Sequence, residues 1–430
     1  MLFSTIRFIG NGWIEDFYIE PDFHFSYYGF GWLPYPSPSL IYALFAGLVV
    51  FSVLIVCGLF YRLAAIGFFI VFTYIELLDK STYLNHYYYV TLISFLLIFL
   101  PANRCFSLDV FFGMKKKSET VAAWHLGILK FQIGVVYCFA GLAKLNSDWL
   151  FNAQPLKMWL HTAHHWPLVG PLMTQDWVAY VFSWTGCLFD LSIVFFLLSR
   201  RTRIYAYGFV VIFHLLTWLL FPIGVFPWVM IVGTTIFLSE NFHRKVLQGI
   251  TSFWPGRSQI SASLIENIRP SLKIITVSLL SVYVLFQLTF PLRGYFYPGD
   301  IFWTESGYRF SWRVMLMEKA GSAYFYLRDP ETGKETEVSP GEHLTALQEK
   351  QMSSQPDMIL QFAGHLQKKY ADTVITTGHS TFRMRNPEVY AEVYVALNGR
   401  RSQLYVSKSR NLMAINNDLS PRIWLEEFKE

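Results

Sequence analysis

The sequence predicts a polytopic α-helical membrane protein of about eight to nine spans, with a small C-terminal α+β domain on the outer face. Three observations support this fold class. Apolar residues make up 53% of the 430 residues and charged residues only 15%, whereas soluble chains carry about 25% charged residues. Aromatic residues, 18% of the total, cluster at the ends of apolar runs, as in interfacial belts. Residues 292–430, by contrast, are polar and contain strand and turn patterns.

Apolar runs that could cross a bilayer need about 20 residues each. The candidates are 39–60, 63–78, 87–101, 121–144, 177–199, 204–221, 223–239 and 271–291. Residues 1–13 resemble the tail of another span, which predicts that the first span is truncated. The membrane domain is therefore expected to cover residues 1–291.

Positive charge identifies the cytoplasmic loops, because these loops carry an excess of lysine and arginine. Basic residues occur in alternate loops: Arg62; Arg104 with Lys115, Lys116 and Lys117; Arg200, Arg201 and Arg203; and Arg244, Lys245 and Arg257. One orientation satisfies all of these loops. It places 79–86, 145–176 and 292–430 together on the outer face.

Residues 292–430 form the second predicted domain, which is long enough for a core of its own. An Asn-Gly pair lies between two β-rich runs within 391–406, which is a strong hairpin signal. The segment 322–338 predicts another hairpin, with DPETG as its turn. Between the two hairpins, 342–370 has a helical pattern.

Lys144 ends an apolar run at the outer end of span 121–144. Two interpretations are open. The ammonium can reach the headgroups from the helix end, as lysines in this position commonly do. Alternatively, burial favours the neutral amine, which can act as a base near neutral pH. The small residues Ala140, Gly141 and Ala143 would let another helix or a flat ligand come close.

Asn85 and His86 lie in the outer segment LLDKSTYLNHYYYV, between two predicted spans. His86 is a candidate to exchange protons beside a ligand, since ionisable groups in membrane segments are functional candidates. The alternative is structural. Asp79 and Lys80 would then form a solvated pair in the loop, and His86 would cap a helix at the interface.

Asp190 and His214 fall near the middle of neighbouring spans, where an unpaired charge is costly. We expect a structural Asp–His or Asp–Lys pair there, with a proton path as the alternative. Trp149, at a helix end, is interpreted as an interfacial belt residue. The four cysteines are isolated and no Cys/His cluster has ligand spacing, so no metal is expected. The net charge of +5 is small and dispersed, so no nucleic-acid partner is expected.

Nine segments together resemble the vitamin K-dependent gamma-glutamyl carboxylase family, which carries the horizontally transferred transmembrane domain. They are LLDKSTYLNH, VVYCFAGLAKLNSDW, CLFDLSIVFFLL, FHLLTWLLFPIGVFPWVM, WTESGYRFSW, YFYLRDPETG, PDMILQFAGHL, EVYVALNGRRSQ and SKSRNL. Each segment alone is a weak signal. Their order and spacing along nearly the whole chain make the resemblance specific.

The resemblance implies an integral membrane carboxylase with quinol epoxidase activity. Family members oxidise reduced vitamin K, as phylloquinol or menaquinol, with O2 to its epoxide. The strong base formed on the way removes a γ-proton from glutamate, which then adds CO2. The implied partners are the lipid bilayer, the quinol and a glutamate-containing peptide or protein client.

The resemblance also implies roles for individual residues. Lys144 aligns with the family's catalytic base. His86 aligns with a histidine that assists proton transfer at the glutamate. The positions that align with quinone- or glutamate-binding residues are Asn85, Trp303, Tyr308 and Trp312.

Several departures from the family pattern are visible. Ala143 precedes Lys144 where vertebrate members have paired lysines, and Gly294 stands where animal enzymes have a histidine. Most of the long soluble region that contributes to propeptide docking does not follow Glu430, which implies a bacterial-type short member in the inner membrane. Two other functions remain open: a quinol epoxidase or oxidoreductase without carboxylation, and a non-enzymatic membrane module that binds a partner.

Overall fold

A computed structural model describes residues 1–118, 120–251, 270–377 and 380–429. Its helices are α1 (Leu2–Gly10), α2 (Pro38–Cys57), α3 (Tyr61–Leu78), α4 (Asn85–Leu97), α5 (Leu108–Phe111), α6 (Ala123–Ala143), α7 (Ser147–Phe151), α8 (Leu156–His161), α9 (Gly170–Met173), α10 (Asp176–Leu198), α11 (Arg203–Leu220), α12 (Phe226–Thr234), α13 (Glu240–Thr251), α14 (Pro270–Thr289), α15 (Ile301–Thr304), α16 (Ala346–Met352) and α17 (Pro356–Tyr370). Its strands are β1 (Lys319–Arg328), β2 (Glu335–Val338), β3 (Thr373–Thr377), β4 (Ser380–Met384), β5 (Glu388–Leu397) and β6 (Gln403–Val406). Arg257, assigned above to a cytoplasmic loop, lies outside the described residues.

Within these ranges, six helices are long and apolar enough to cross a membrane: Pro38–Cys57, Tyr61–Leu78, Ala123–Ala143, Asp176–Leu198, Arg203–Leu220 and Lys273–Phe296. The predicted span 87–101 instead forms α4, of 13 residues. The predicted span 223–239 forms the shorter apolar segment Phe226–Phe237. A proline lies near one end of each of these two helices. Pro101 follows α4, where proline interrupts helical hydrogen bonding, and Pro227 lies in the first turn of α12, where proline favours the start of a helix.

Helix α6 lies inside the bundle, where it contacts α4, α10, α12 and α14. Its closest neighbour is α10, and Gly141 permits the approach. A Cβ atom at Gly141 would lie 2.9 Å from the backbone nitrogen of Leu191, so any larger residue would push the two helices apart. The prediction that small residues before Lys144 admit a neighbouring helix is thus confirmed at Gly141.

The C-terminal region contains a four-stranded antiparallel sheet with the strand order β2-β1-β5-β6. Both predicted hairpins are confirmed, as β1–β2 and β5–β6. The predicted helical segment is also present, but Pro356 starts a new helix and divides it into α16 and α17. Phe325, Phe362 and Val393 are fully buried where α17 covers the sheet. The hairpin β3–β4 was not predicted.

This domain contacts the loops at one end of the helical bundle. Lys80, in the loop after α3, donates from Nζ to Asp357 Oδ2 at 2.6 Å. Asp148, in the segment after α6, accepts a hydrogen bond from Arg400 Nη1 at 2.8 Å. The loops 79–86 and 145–176, predicted to share a face with residues 292–430, therefore do lie on one side of the bundle.

Asp79 and Lys80 are not a solvated pair, contrary to the structural alternative considered above. Their exposed fractions are 0% and 3%. Asp79 accepts hydrogen bonds from Gln348 Nε2 at 2.9 Å and from the backbone nitrogen of Ser81 at 2.8 Å. Both side chains are buried because the C-terminal domain covers them and supplies a polar partner to each, Gln348 to Asp79 and Asp357 to Lys80.

Acid is expected to weaken this contact between the domain and the bundle. Burial alone would raise the pKa of both Asp148 and Asp357. Hydrogen bonds from Arg400 instead lower the pKa of Asp148 below its usual range. The positive charges of Arg309 and Lys80 do the same for the pKa of Asp357. Their stabilisation is complete above the unfolded pKa of about 3.9 and is lost as the pH falls through the folded pKa values. The melting temperature in detergent should therefore decline below about pH 4. Arg400→Met should show a smaller decline, and an equal decline would contradict the role of Asp148.

Cysteine labelling in intact cells tests the shared face, with the native cysteines replaced. Ser147 and Glu331 are exposed in the segment after α6 and in the C-terminal domain, and Lys116 is exposed in a basic loop. A membrane-impermeant maleimide should modify Ser147→Cys and Glu331→Cys, but Lys116→Cys only after permeabilisation. Modification of Ser147→Cys without Glu331→Cys would contradict the orientation.

Candidate functional site

Lys144 is the residue that follows the last turn of α6, and its side chain is buried beside α10. Nζ donates to Asp190 Oδ2 at 2.7 Å, and the side chains are 9% and 7% exposed. The pairing is possible because Gly141 lets α10 approach this end of α6. Histidine and lysine were the two partners considered for Asp190, and in the structure Asp190 pairs with the lysine. The lysine does not point to the headgroup region as an exposed anchor would.

Trp149 covers the other side of the amine. Its ring centroid lies 5.3 Å from Lys144 Nζ, within the range of cation–π contacts. The ring is held in place because Trp149 Nε1 donates to the Ser183 carbonyl at 2.9 Å and the Ser183 hydroxyl donates to the Trp149 carbonyl. Trp149 is 4% exposed, so its interpretation as a belt residue is wrong. The short helix α7 folds back onto α10 and buries it.

An apolar cavity of about 100 Å³ begins at this amine and extends between α6, α10, α11 and α12. Lys144, Asp190 and His214 are the charged or titratable side chains in its wall, together with Tyr137. The remaining wall is largely aromatic and aliphatic: Trp149, Trp159, Phe182, Phe213, Phe221, Phe226, Met230, Val314 and Met315 are among its residues. Such a surface excludes water and suits a flat apolar ligand.

His214 lies in the same cavity but has a partner of its own. Its Nε2 is 2.8 Å from the Tyr137 hydroxyl, and both side chains are buried. The two form one of the few polar contacts inside the bundle, where an unsatisfied polar group would be costly. Asp190 and His214 are therefore not partners of each other.

His86, in the first turn of α4, is not among the residues that line the cavity. Its ring centroid is 6.1 Å from that of Phe226, which lines the cavity and whose ring centroid lies 6.3 Å from that of His214. Phe226 is thus a neighbour of both histidines, and His214 is the one in the wall of the chamber that contains Lys144. His86 also contacts the ring of Tyr87 at 4.7 Å.

Asn85 and Tyr308 meet at one backbone carbonyl. Asn85 Nδ2 donates to the Arg313 carbonyl at 3.4 Å, and the Tyr308 hydroxyl donates to the same oxygen at 3.2 Å. The segment that contains this carbonyl continues to Val314 and Met315, which line the cavity. The segment therefore joins the Asn85–His86 turn to the chamber around Lys144.

Trp312 and Trp303 have different surroundings. Trp312 is fully buried, with its ring 5.0 Å from Tyr88 on α4, and it packs within the bundle. Trp303 lies within the C-terminal domain, where Nε1 donates to the Glu426 carbonyl at 2.8 Å and the ring packs on Tyr405. Neither lines the cavity around Lys144. The structure brings Lys144, Asp190 and His214 together and places Trp303 apart from them.

Sequence reasoning missed the contact between the β5–β6 hairpin and the site. Asn398 Nδ2 and Arg400, between β5 and β6, bind the carboxylate of Asp148, with Nδ2 2.7 Å from Oδ2. Asp148 precedes Trp149, which covers Lys144. No signal in the sequence links residues so far apart, although the Asn-Gly turn itself was visible. In the described ranges, no group of three His, Cys, Asp or Glu residues could hold a metal ion.

Comparison with known families covers most of the chain. Residues 1–242 match the HTTM domain, and residues 272–430 match the lumenal domain of vitamin K-dependent gamma-carboxylase. No solved structure matches the chain. Both matches follow the order of the two regions described above, with the buried lysine in the first and the four-stranded sheet in the second. The chain belongs to the vitamin K-dependent gamma-carboxylase family.

Proposed function

We propose that this protein is a membrane vitamin K-dependent gamma-glutamyl carboxylase that couples oxidation of a reduced quinone to carboxylation of glutamate, with Lys144 as the base. The observation that carries the proposal is the burial of the Lys144 amine at the head of an apolar, largely aromatic cavity. An amine in such a place can be neutral and can accept a proton from a weak acid. A lysine that served only as an anchor would be exposed.

The residues present fit a flat, apolar quinol. Aromatic side chains such as Phe213, Phe221 and Trp159 bound the cavity, and Lys144 Nζ offers one polar contact at its end. Once bound, the quinol supplies through its reaction with O2 the strong base that the carboxylation needs. The chain's own part is to take the hydroxyl proton at Lys144 Nζ and to exclude water, which would quench that base.

The glutamate side chain is assigned to the turn that contains Asn85 and His86. Asn85 in this turn contacts the Arg313 carbonyl, and His86 packs near Phe226, which lines the cavity. A water-soluble peptide would reach it from the outer face, whereas the quinol would enter from lipid. Tyr308 and Trp312 would shape the turn from the neighbouring segment, because Tyr308 shares the Arg313 carbonyl with Asn85 and the Trp312 ring packs against Tyr88.

The proposed topology follows the same division. We assign residues 1–291 to the membrane domain and 292–430 to an extracytoplasmic domain. Helix α4 and the segment Phe226–Phe237 are proposed to cross the membrane as well, which gives eight spans with the six longer helices. Such short helices require local thinning of the bilayer or burial within the bundle, and Leu96 and Met230 are indeed nearly fully buried.

Reconstitution tests the proposed function. The purified protein is placed in liposomes with reduced menaquinone, O2, labelled bicarbonate and a glutamate peptide, and the epoxide and the fixed label are measured together. Both products are expected, in a constant ratio. Epoxide without fixed label would identify a quinol epoxidase, and the absence of both products would contradict the proposal.

The hairpin of the C-terminal domain should support the activity from a distance. Arg400→Met removes two donors from Asp148, which precedes Trp149. Displacement of Trp149 should lower the epoxidation rate by about tenfold to a hundredfold, because small errors in position are costly to catalysis. Arg401→Met, at an exposed position in the same loop, is the matched control and should keep the normal rate. Equal rates for the two variants would contradict this coupling.

A further inference from the structure

Lys144 and Asp190 form an isolated buried pair. Besides Asp190 Oδ2 at 2.7 Å, the amine's hydrogen-bond partner among the described residues is the Ala140 carbonyl, at 3.5 Å. In the same ranges, Asp190 has a hydrogen bond to Lys144 and to no other side chain. Each group is therefore the main polar partner of the other.

Such a pair poses a problem for a base. A carboxylate at this distance stabilises the ammonium, and an ammonium cannot accept a proton. Burial has the opposite effect, because both charges lose their hydration in an apolar cavity. The neutral arrangement, an amine beside a carboxylic acid, avoids this loss and differs from the ion pair only in the position of one proton along the hydrogen bond. The pair is electrically neutral in either arrangement.

We propose that Asp190 is a positioning residue that holds the proton of Lys144 while the amine acts as the base. This inference rests on the proposed function of Lys144. The proton moves from Nζ to Asp190 Oδ2, and the nitrogen keeps the bonding electron pair. Nζ then accepts the hydroxyl proton of the bound quinol, whose O–H bonding electrons stay on its oxygen. The resulting ammonium stabilises that oxygen, and the acid keeps the first proton until turnover ends.

Among the described residues that line the cavity, no other carboxylic acid can replace Asp190. The titratable side chains near the pair are Tyr137 and Cys138 on α6, Cys187 on α10 and His214 on α11. Among these described neighbours there is no second carboxylate and no second lysine or arginine. His214 Nε2 is hydrogen-bonded to the Tyr137 hydroxyl. The charge state of Lys144 therefore depends on Asp190.

Amine labelling without quinol tests the shared proton. Lys144 is modified with fluorodinitrobenzene over a range of pH in the full-length protein, and its modification is measured by mass spectrometry. The wild-type protein should show a plateau of reactivity below the alkaline rise, because a coupled pair titrates in two steps. Asp190→Asn should lose this plateau. Its epoxidation should follow the single titration of the remaining amine, whereas the wild-type rate should stay level across the plateau.

Asp176→Asn is the matched control, because Asp176 lies on the same helix and pairs with Lys157 at an exposed position. This variant should keep the wild-type pH profiles of both Lys144 labelling and epoxidation. If Asp190→Asn does not fold, Asp190→Glu takes its place. This variant keeps a carboxylic acid and should retain the reactivity plateau of Lys144. Loss of the plateau in Asp190→Glu would overturn the inference. An unchanged plateau and an unchanged pH profile in Asp190→Asn would also overturn it. If the wild-type protein makes no epoxide, the proposed function fails, and labelling still decides whether the two groups share a proton.

Discussion

Lys144→Ala is expected to abolish epoxide formation and, with it, carboxylation. The amine lies at the head of the cavity, and no other described lysine lines that chamber. Without a base there, the hydroxyl proton of the quinol has no acceptor, and general-base catalysis commonly contributes about 10²- to 10⁴-fold. Carboxylation is lost as well because the strong base that removes the γ-proton is never made. The measurement is epoxide formation at matched expression and thermal stability.

Lys144→Arg separates a base from an anchor. It preserves the positive charge beside Asp190 and so avoids leaving a buried carboxylate unpaired. A guanidinium stays protonated below about pH 12 and cannot accept the proton, so epoxidation should be lost here too. Lys157→Arg is the matched control, since Lys157 is paired with Asp176 at the surface. Near-normal epoxidation by Lys144→Arg would identify Lys144 as an interfacial anchor.

His86→Ala is expected to separate the two half-reactions. The histidine does not line the chamber around Lys144, so its loss should leave the quinol site intact. Carboxylation should fall by about 10²-fold, the effect of losing a group that assists proton transfer, while epoxide formation continues. The measurement is the ratio of fixed label to epoxide.

Two controls make this result interpretable. His165→Ala changes an exposed histidine outside the site and should leave the ratio unchanged. Asn85→Ala removes the hydrogen bond to the Arg313 carbonyl and should lower carboxylation by disturbing the same turn. If His86→Ala loses both activities equally while it stays folded, the histidine has a structural role.

Much of the fold could be predicted from local patterns. Apolar runs and their lengths predicted the long helices, and turn sequences predicted the hairpins β1–β2 and β5–β6. The lengths of α4 and α12 were overestimated because the apolar runs continue through the prolines that limit these helices. Hydropathy depends only on composition, whereas the end of a helix is set by where its backbone hydrogen bonding ends.

The candidate site was only partly visible. Lys144 stood out because a charge at the end of an apolar helix is unusual, but its partner could not be chosen from the sequence. Asp190 was one of several intramembrane polar groups, and its pairing depends on how closely α10 approaches at Gly141. Trp149 was misinterpreted because a tryptophan at a helix end normally faces the interface. The fold of α7, stabilised by Arg400 of the distant hairpin, turns it inward instead.

In the proposed reaction, a base generated through Lys144 removes the γ-hydrogen of glutamate, and release of that hydrogen to water can be measured. The reconstituted protein receives a peptide with tritium at the γ-position of glutamate, reduced menaquinone and O2, without bicarbonate. Tritium should pass to water from the wild-type protein, only when quinol and O2 are both present, and not from Lys144→Arg. Release without quinol, or equal release by Lys144→Arg, would contradict the role of Lys144 as the base.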